Sequence, residues 1–181
     1  MIKKKLIFIA ALTACLIAAC VGATLALLIA VAGPVENTFT IGNVQLALAE
    51  TTGESYQLIP GYTVKKDPKV TVLAGSDPCW LFVKITKSSD FDEYLTFETA
   101  QGWTHLGGYD GVYYRSVEKA SIDLEYDVLK DNAIVVKDIL TAEKMSNLTA
   151  PPTLSIRAFA VQSYSVETAL DAWKLIAEVG E

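Results

Sequence analysis

No charged residue falls between Leu6 and Val35, and only beyond Thr38 does the chain settle into short segments of alternating apolar and polar positions. Lys3, Lys4 and Lys5 precede the apolar run Leu6 to Cys20, which continues through Val21 to Ala26. A basic n-region followed by a hydrophobic h-region predicts an export signal, here residues 1–26. A signal ordinarily turns polar soon after its cleavage site, yet Leu27-Leu28-Ile29-Ala30-Val31-Ala32 stays apolar up to Gly33-Pro34. Three readings account for the excess. A membrane anchor is one, because about 20 apolar residues span a bilayer and the lysines lie on the side expected to be cytoplasmic. Lipidation is another, since Ile17-Ala18-Ala19-Cys20 and Leu12-Thr13-Ala14-Cys15 both have the form of a lipobox. The third is cleavage between Ala26 and Leu27, which frees Leu27 to Val35 as an apolar N-terminus within a donor-strand segment of residues 27–37. Extended, it would carry Leu27, Ile29 and Val31 on one face and Leu28, Ala30 and Ala32 on the other, a strand able to insert into a partner.

From Thr38 to Ala49, Phe39 and Ile41 alternate in one phase and Val44, Leu46 and Leu48 in the other, with the change at Gly42-Asn43. This predicts one long strand with a bulge. Polar residues Glu50 to Tyr56 and a turn at Leu58 to Gly61 follow, then a strand over Lys69 to Leu73. Cys79 to Ile85 reads as a central strand, with Leu81, Val83 and Ile85 on one side and Trp80, Phe82 and Lys84 on the other. Tyr94 to Phe97, Gly102 to Leu106 and Val112 to Arg115 suggest a meander, punctuated by Gly107-Gly108 and Asp110-Gly111. Ile122 to Val128 and Ala133 to Leu140 are further strands, the latter open to a helical turn from Thr141. Thr153 to Gln162 reads as a half-buried strand through Leu154, Ile156, Ala158 and Ala160.

The tail changes period. Val166, Ala169, Leu170, Trp173, Ile176 and Ala177 fall at helical spacing, with Ser165 placed as an N-cap and Glu167 in the first turn, so one amphipathic helix packs on the sheets through Trp173. Many short strands and one helix predict a mainly β chain, a jelly-roll-like β-sandwich with a C-terminal amphipathic helix, over residues 38–181.

About 155 residues follow Ala26, enough for one domain with a sizeable core. Removing residues 1–26 takes away three lysines and no acid, so 12 basic residues face 21 acidic ones and the mature part carries about −9. Such a balance argues against nucleic acid as a partner. Only Cys79 of the three cysteines lies outside the signal, so the exported domain has no internal disulfide and Cys79 is expected in the core as a small hydrophobe.

Candidate chemistry is sparse. His105 is the sole histidine, which rules out a two-histidine zinc motif and leaves one residue for any Ser-His-Asp arrangement. A nucleophilic role for Cys79 conflicts with its apolar strand. Asp90, Asp92 and Glu93 form a short acidic cluster of calcium-ligand type, and Asn147-Leu148-Thr149 is a sequon. No phosphate-binding glycine loop occurs, and no cofactor is expected.

Several segments stand in a recurring order: Gly22 to Ala26, Asn37 to Val44, Ile59-Pro60-Gly61, Lys66 to Val72 with Ala74-Gly75-Ser76, Phe82-Val83-Lys84, Val112 to Arg115, Ala160-Val161-Gln162 and Ala172-Trp173. In this order they resemble the TasA/camelysin-type secreted proteins of Gram-positive bacteria, whose signals are removed by a signal peptidase of the SipW type. The resemblance implies a jelly-roll subunit of extracellular biofilm-matrix fibres. It further implies that the segment freed by cleavage lends a strand to the neighbouring subunit, head to tail, in a homopolymer or with related matrix subunits. The membrane would then be touched only through the N-terminal segment before cleavage. Leu27-Leu28-Ile29-Ala30 departs from the aromatic and polar stretch usual in the family at this point. The family also carries a metallopeptidase label, which does not transfer because no zinc-ligand motif stands at any position here. The alternatives of a different class are a membrane- or lipid-anchored surface domain with a binding role and, behind it, a camelysin-like secreted metallopeptidase, which would have to build its site from His105 and carboxylates.

Overall fold

The computed structural model describes residues 29–32, 43–52, 58–139, 144, 150–164 and 166–179. In chain order its strands are β1 (Ile29–Ala32), β2 (Leu46–Ala49), β3 (Thr63–Lys65), β4 (Lys69–Val72) and β5 (Cys79–Lys87). After the single helical turn α1 (Phe91–Tyr94) come β6 (Leu95–Thr96), β7 (Thr104–His105), β8 (Val112–Val117) and β9 (Leu124–Asp127). A 3-10 turn (Lys130–Asn132) leads to β10 (Ala133–Val136), and β11 (Leu154–Gln162) and the helix α2 (Ala169–Val179) complete the described chain. The strands form a five-stranded sheet in the order β1-β11-β5-β8-β7 and two three-stranded sheets, β3-β10-β6 and β2-β4-β9, with every pairing antiparallel.

β5 is the central strand that its aromatic and β-branched residues predict. It pairs with β11 over nine residues, Cys79↔Gln162 to Lys87↔Leu154, and with β8 on its other side. Strand alternation sends Cys79, Leu81, Val83 and Ile85 towards the two small sheets, where they join Leu46, Val70, Val72, Val128 and Val136 in one buried cluster. Phe82 goes to the opposite face, against α2. Trp173 fills the space there, its ring 5.3 Å from that of Phe82 and 5.5 Å from that of Phe159. Trp80 Nε1 donates to the Val166 carbonyl at 2.9 Å and fixes the approach to the helix. The result is three layers: α2, the large sheet, and the two small sheets.

The described elements differ from the sequence reading in instructive places. β11 is buried on both faces only over Ala158 to Val161, where α2 covers Phe159 and Val161 and the small sheets cover Ala158 and Ala160; nearer its start Ile156 is buried while Ser155 and Arg157 are exposed, the half-buried pattern expected. The long strand expected over Thr38 to Ala49 is regular only over Leu46–Ala49; Asn43 is a bend, residues 38–42 lie outside the described residues, and the Gln45 N–H is taken by Ser76 Oγ rather than by a strand. The expected meander divides: β7 and β8 join the large sheet, whereas β6 pairs with β10. β3 has no counterpart in the reading, since Thr63-Val64-Lys65 offers a single apolar position. β9 excludes Ile122, which is exposed, and β10 ends at Val136; of the helical turn expected from Thr141, only Lys144 is described. The helix starts later than Val166. Thr168 Oγ1 accepts from the Asp171 N–H and donates to its carboxylate, doing the capping work assigned to Ser165, which lies outside the described residues. Ala172 replaces Leu170 and Ala177, both exposed, on the buried face.

The Asp110-Gly111 turn signal holds. Gly111 has φ +68, its carbonyl accepts from the Ile85 N–H at 2.8 Å, and a methyl there would run into the Ile85 carbonyl oxygen.

Trp173→Ala should lower stability by about 3 to 5 kcal/mol, the usual range for emptying a buried aromatic site. Denaturant unfolding followed by circular dichroism measures this; a loss under about 1 kcal/mol would mean that α2 is an ornament on the sheet.

Candidate functional site

The N-terminal strand and the edge that receives it form the first candidate. Ala26, Leu27 and Leu28 lie outside the described residues, while Ile29, Ala30, Val31 and Ala32 make up β1 at the edge of the large sheet. The register sets Ile29 opposite Val161 and Val31 opposite Phe159, both members of the helix-side cluster; Ala30 and Ala32 stand opposite Ala160 and Ala158, which belong to the other core. β1 covers four of the nine β11 residues, and Leu154 to Arg157 have no ladder partner on that edge among the described residues. In the isolated chain the segment expected to enter a partner thus pairs with its own β11.

A cleft of about 270 Å³ opens near the start of β11, lined by Leu58, Val64, Phe91, Leu95, Ile134 and Leu154. Nothing in the sequence pattern marks it, since its walls come from four separate segments.

The chain just after β2 is tied to the β3–β4 connection by Asp67. Its carboxylate accepts from the Thr51 and Thr52 backbone N–H groups at 2.9 and 3.0 Å and from both threonine hydroxyls. Lys66 reinforces the tie through Glu50 at 2.7 Å. The bond from the Thr51 hydroxyl, foremost, holds the Asp67 carboxyl well below its ordinary 3.8.

The catalytic candidates are scattered. His105 is exposed on β7 and its ring meets the edge of Tyr113, at 5.3 Å. Cys79 is fully buried, and burial pushes its thiol up to about 12. Asp92 pairs with Lys87, Glu93 with Lys144, and Asp90 accepts from Ser88 Oγ, so the acidic cluster is engaged with its surroundings. Asn147 lies outside the described residues. Among the described residues no three His, Cys, Asp or Glu side chains gather into a metal-holding group.

No family model, curated protein or solved structure matches the chain.

The Asp67 tie carries a pH signature. Because the folded carboxyl binds its proton less readily than the unfolded one, its contribution is complete above about pH 4 and fades as the pH falls through the folded value. Asp67→Asn should therefore cost about 1 to 2 kcal/mol at pH 7, the scale of hydrogen bonds to a charged acceptor. Against wild type the deficit should shrink below about pH 4 in parallel denaturant titrations; a deficit constant down to pH 2 would remove the charge from the account.

The Cys79 thiol should resist iodoacetamide at pH 8 in the native chain and react on unfolding, as read by intact mass. Native labelling at the rate of a free thiol would contradict its burial.

Proposed function

We propose that this chain is an exported structural subunit of an extracellular, biofilm-matrix or pilus-like fibre, polymerising by donation of the N-terminal strand to the neighbouring subunit. One observation carries the reading: Ile29–Ala32, within the apolar segment that follows the expected export signal, form a strand laid on the edge of the large sheet, while β11 pairs over nine residues with β5 on its other side. An edge strand of this kind exchanges at low cost, since the same residues meet the same edge in another copy. Main-chain hydrogen bonds supply affinity, and alternate side chains filling the acceptor edge supply specificity. Donation from one subunit to the next does not close on itself, so it builds filaments. The resemblance to TasA/camelysin-type proteins supports the same reading and adds a jelly-roll connection of the sheets, cleavage between Ala26 and Leu27 by a SipW-type peptidase, and release to the matrix or cell surface.

The uninterrupted apolar run from Leu6 favours one other reading, a surface domain held by a membrane span or by lipid on Cys20. Intact mass and N-terminal sequencing of the secreted chain separate the two: a start at Leu27 fits the subunit, whereas Met1 or a modified Cys20 fits the anchor.

Deleting residues 27–35 from the cleaved chain should leave a folded monomer that forms no filaments by electron microscopy. A synthetic peptide of residues 27–35 should bind the truncated chain and raise its melting temperature. Filaments from the truncated chain would overturn strand donation.

A further inference from the structure

Arg115 is one of two arginines in the chain and sits on β8 between Tyr113 and Val117 on the face that meets the small sheets. Its guanidinium carbon lies 3.9 Å from the ring centre of Tyr126, on β9 in the opposite layer, and 5.3 Å from that of Trp103. Trp103 is itself fixed by a 2.8 Å bond from its indole N–H to the Asp127 carbonyl. On a further side the backbone of Gly102, at φ +90, comes so near that a methyl there would stand 2.7 Å from Nη2. The cation is therefore held on several sides by groups that carry no negative charge.

What the cage lacks is a counter-ion. Every ion pair among the described residues uses a lysine, and Glu125, next to Tyr126, is taken by Lys69 at 2.8 Å. Nε of Arg115 is sealed from solvent and donates to no acceptor, whereas Nη1 and Nη2 are not sealed. An uncompensated cation between two layers is costly, and ring faces return only about 0.5 to 2 kcal/mol each. In a chain with 21 acidic and 15 basic residues, an arginine that pairs with no carboxylate among the described residues is a charge held in reserve.

We propose that Arg115, Trp103 and Tyr126 form a receptor for one carboxylate group, which meets the open Nη1/Nη2 end of the guanidinium. A planar, two-oxygen anion suits this fork, since both oxygens can accept in parallel. The carboxylate comes either from a small solute or from an acidic side chain of a second copy, and neither source requires strand donation.

The test uses the full ¹⁵N-labelled chain and follows the Arg115 Nε and Trp103 Nε1 signals by NMR, with Arg157→Lys to assign the arginines. Sodium acetate replaces sodium chloride at constant ionic strength. Saturable movement of both signals, at least tenfold larger than the change with phosphate or chloride and absent from Trp103 in Arg115→Lys, supports a solute carboxylate. The same movement on raising the protein concentration without acetate, reversed by acetate, supports a carboxylate of a second copy. Shifts that follow ionic strength for every anion, or no movement in either series, overturn the proposal, because a purely structural arginine stack answers to neither.

Discussion

The ladder between β5 and β11 is the constraint on which the other layers rest. Nine consecutive pairs run from Cys79↔Gln162 to Lys87↔Leu154, and over the half from Cys79↔Gln162 to Val83↔Ala158 both faces are covered. A strand buried on both faces has no tolerance for a register slip, because a shift of one residue would bring Phe82 and Phe159 into the space shaped for Val83 and Ala158. The aromatic residues lie on the side where α2 supplies Trp173, and the smaller aliphatic ones lie where the two small sheets close in. Side-chain size thus decides which layer goes where.

The same ladder leaves the N-terminal strand at the margin of the sheet. β11 is anchored through β5, so its second edge adds to the sheet without defining it. An edge left bare invites pairing with any passing chain, and proteins usually blunt such edges with charge, proline or a covering element. Here the covering element is four residues of the protein's own N-terminal segment, followed at once by Gly33-Pro34, where proline has no N–H to continue a ladder. In the fibre reading, the strand that protects the edge in the monomer is the one that joins subunits, so protection and assembly compete for one surface.

How far the sequence revealed this depends on whether the deciding contact was local. β5, β8, β11 and α2 were legible because each carries its own alternation or helical period. The apolar excess of Leu27 to Ala32 was legible for the same reason, and the part of it within the described residues is a strand. Its partner was not legible: nothing near Ile29 points to Val161, more than a hundred residues away. The second buried face of β11 was also hidden, because its cover, Trp173, belongs to another element, and three-residue β3 offers too few positions to show a period. Arg115 passed unnoticed for a related reason. Between two tyrosines and a serine it reads as an outward residue at a strand end, and only the approach of Tyr126 from the opposite layer makes it a caged cation.

The two candidate sites lie at different places in one sheet. β11 and β8 flank β5, so the strand-receiving edge and the Arg115 cage are separated by roughly 10 Å of sheet, two strand spacings. The edge works through main-chain pairing, an interaction little affected by salt. The cage works through one charge and the fork geometry of a guanidinium, and a partly buried charge is screened less than an exposed one. β5, with Leu81, Phe82 and Val83 fully buried, stands between the two sites. On the two proposals taken together, a strand at one edge and a carboxylate beyond β5 would be taken up as separate events, and the strength of each would be set by different chemistry.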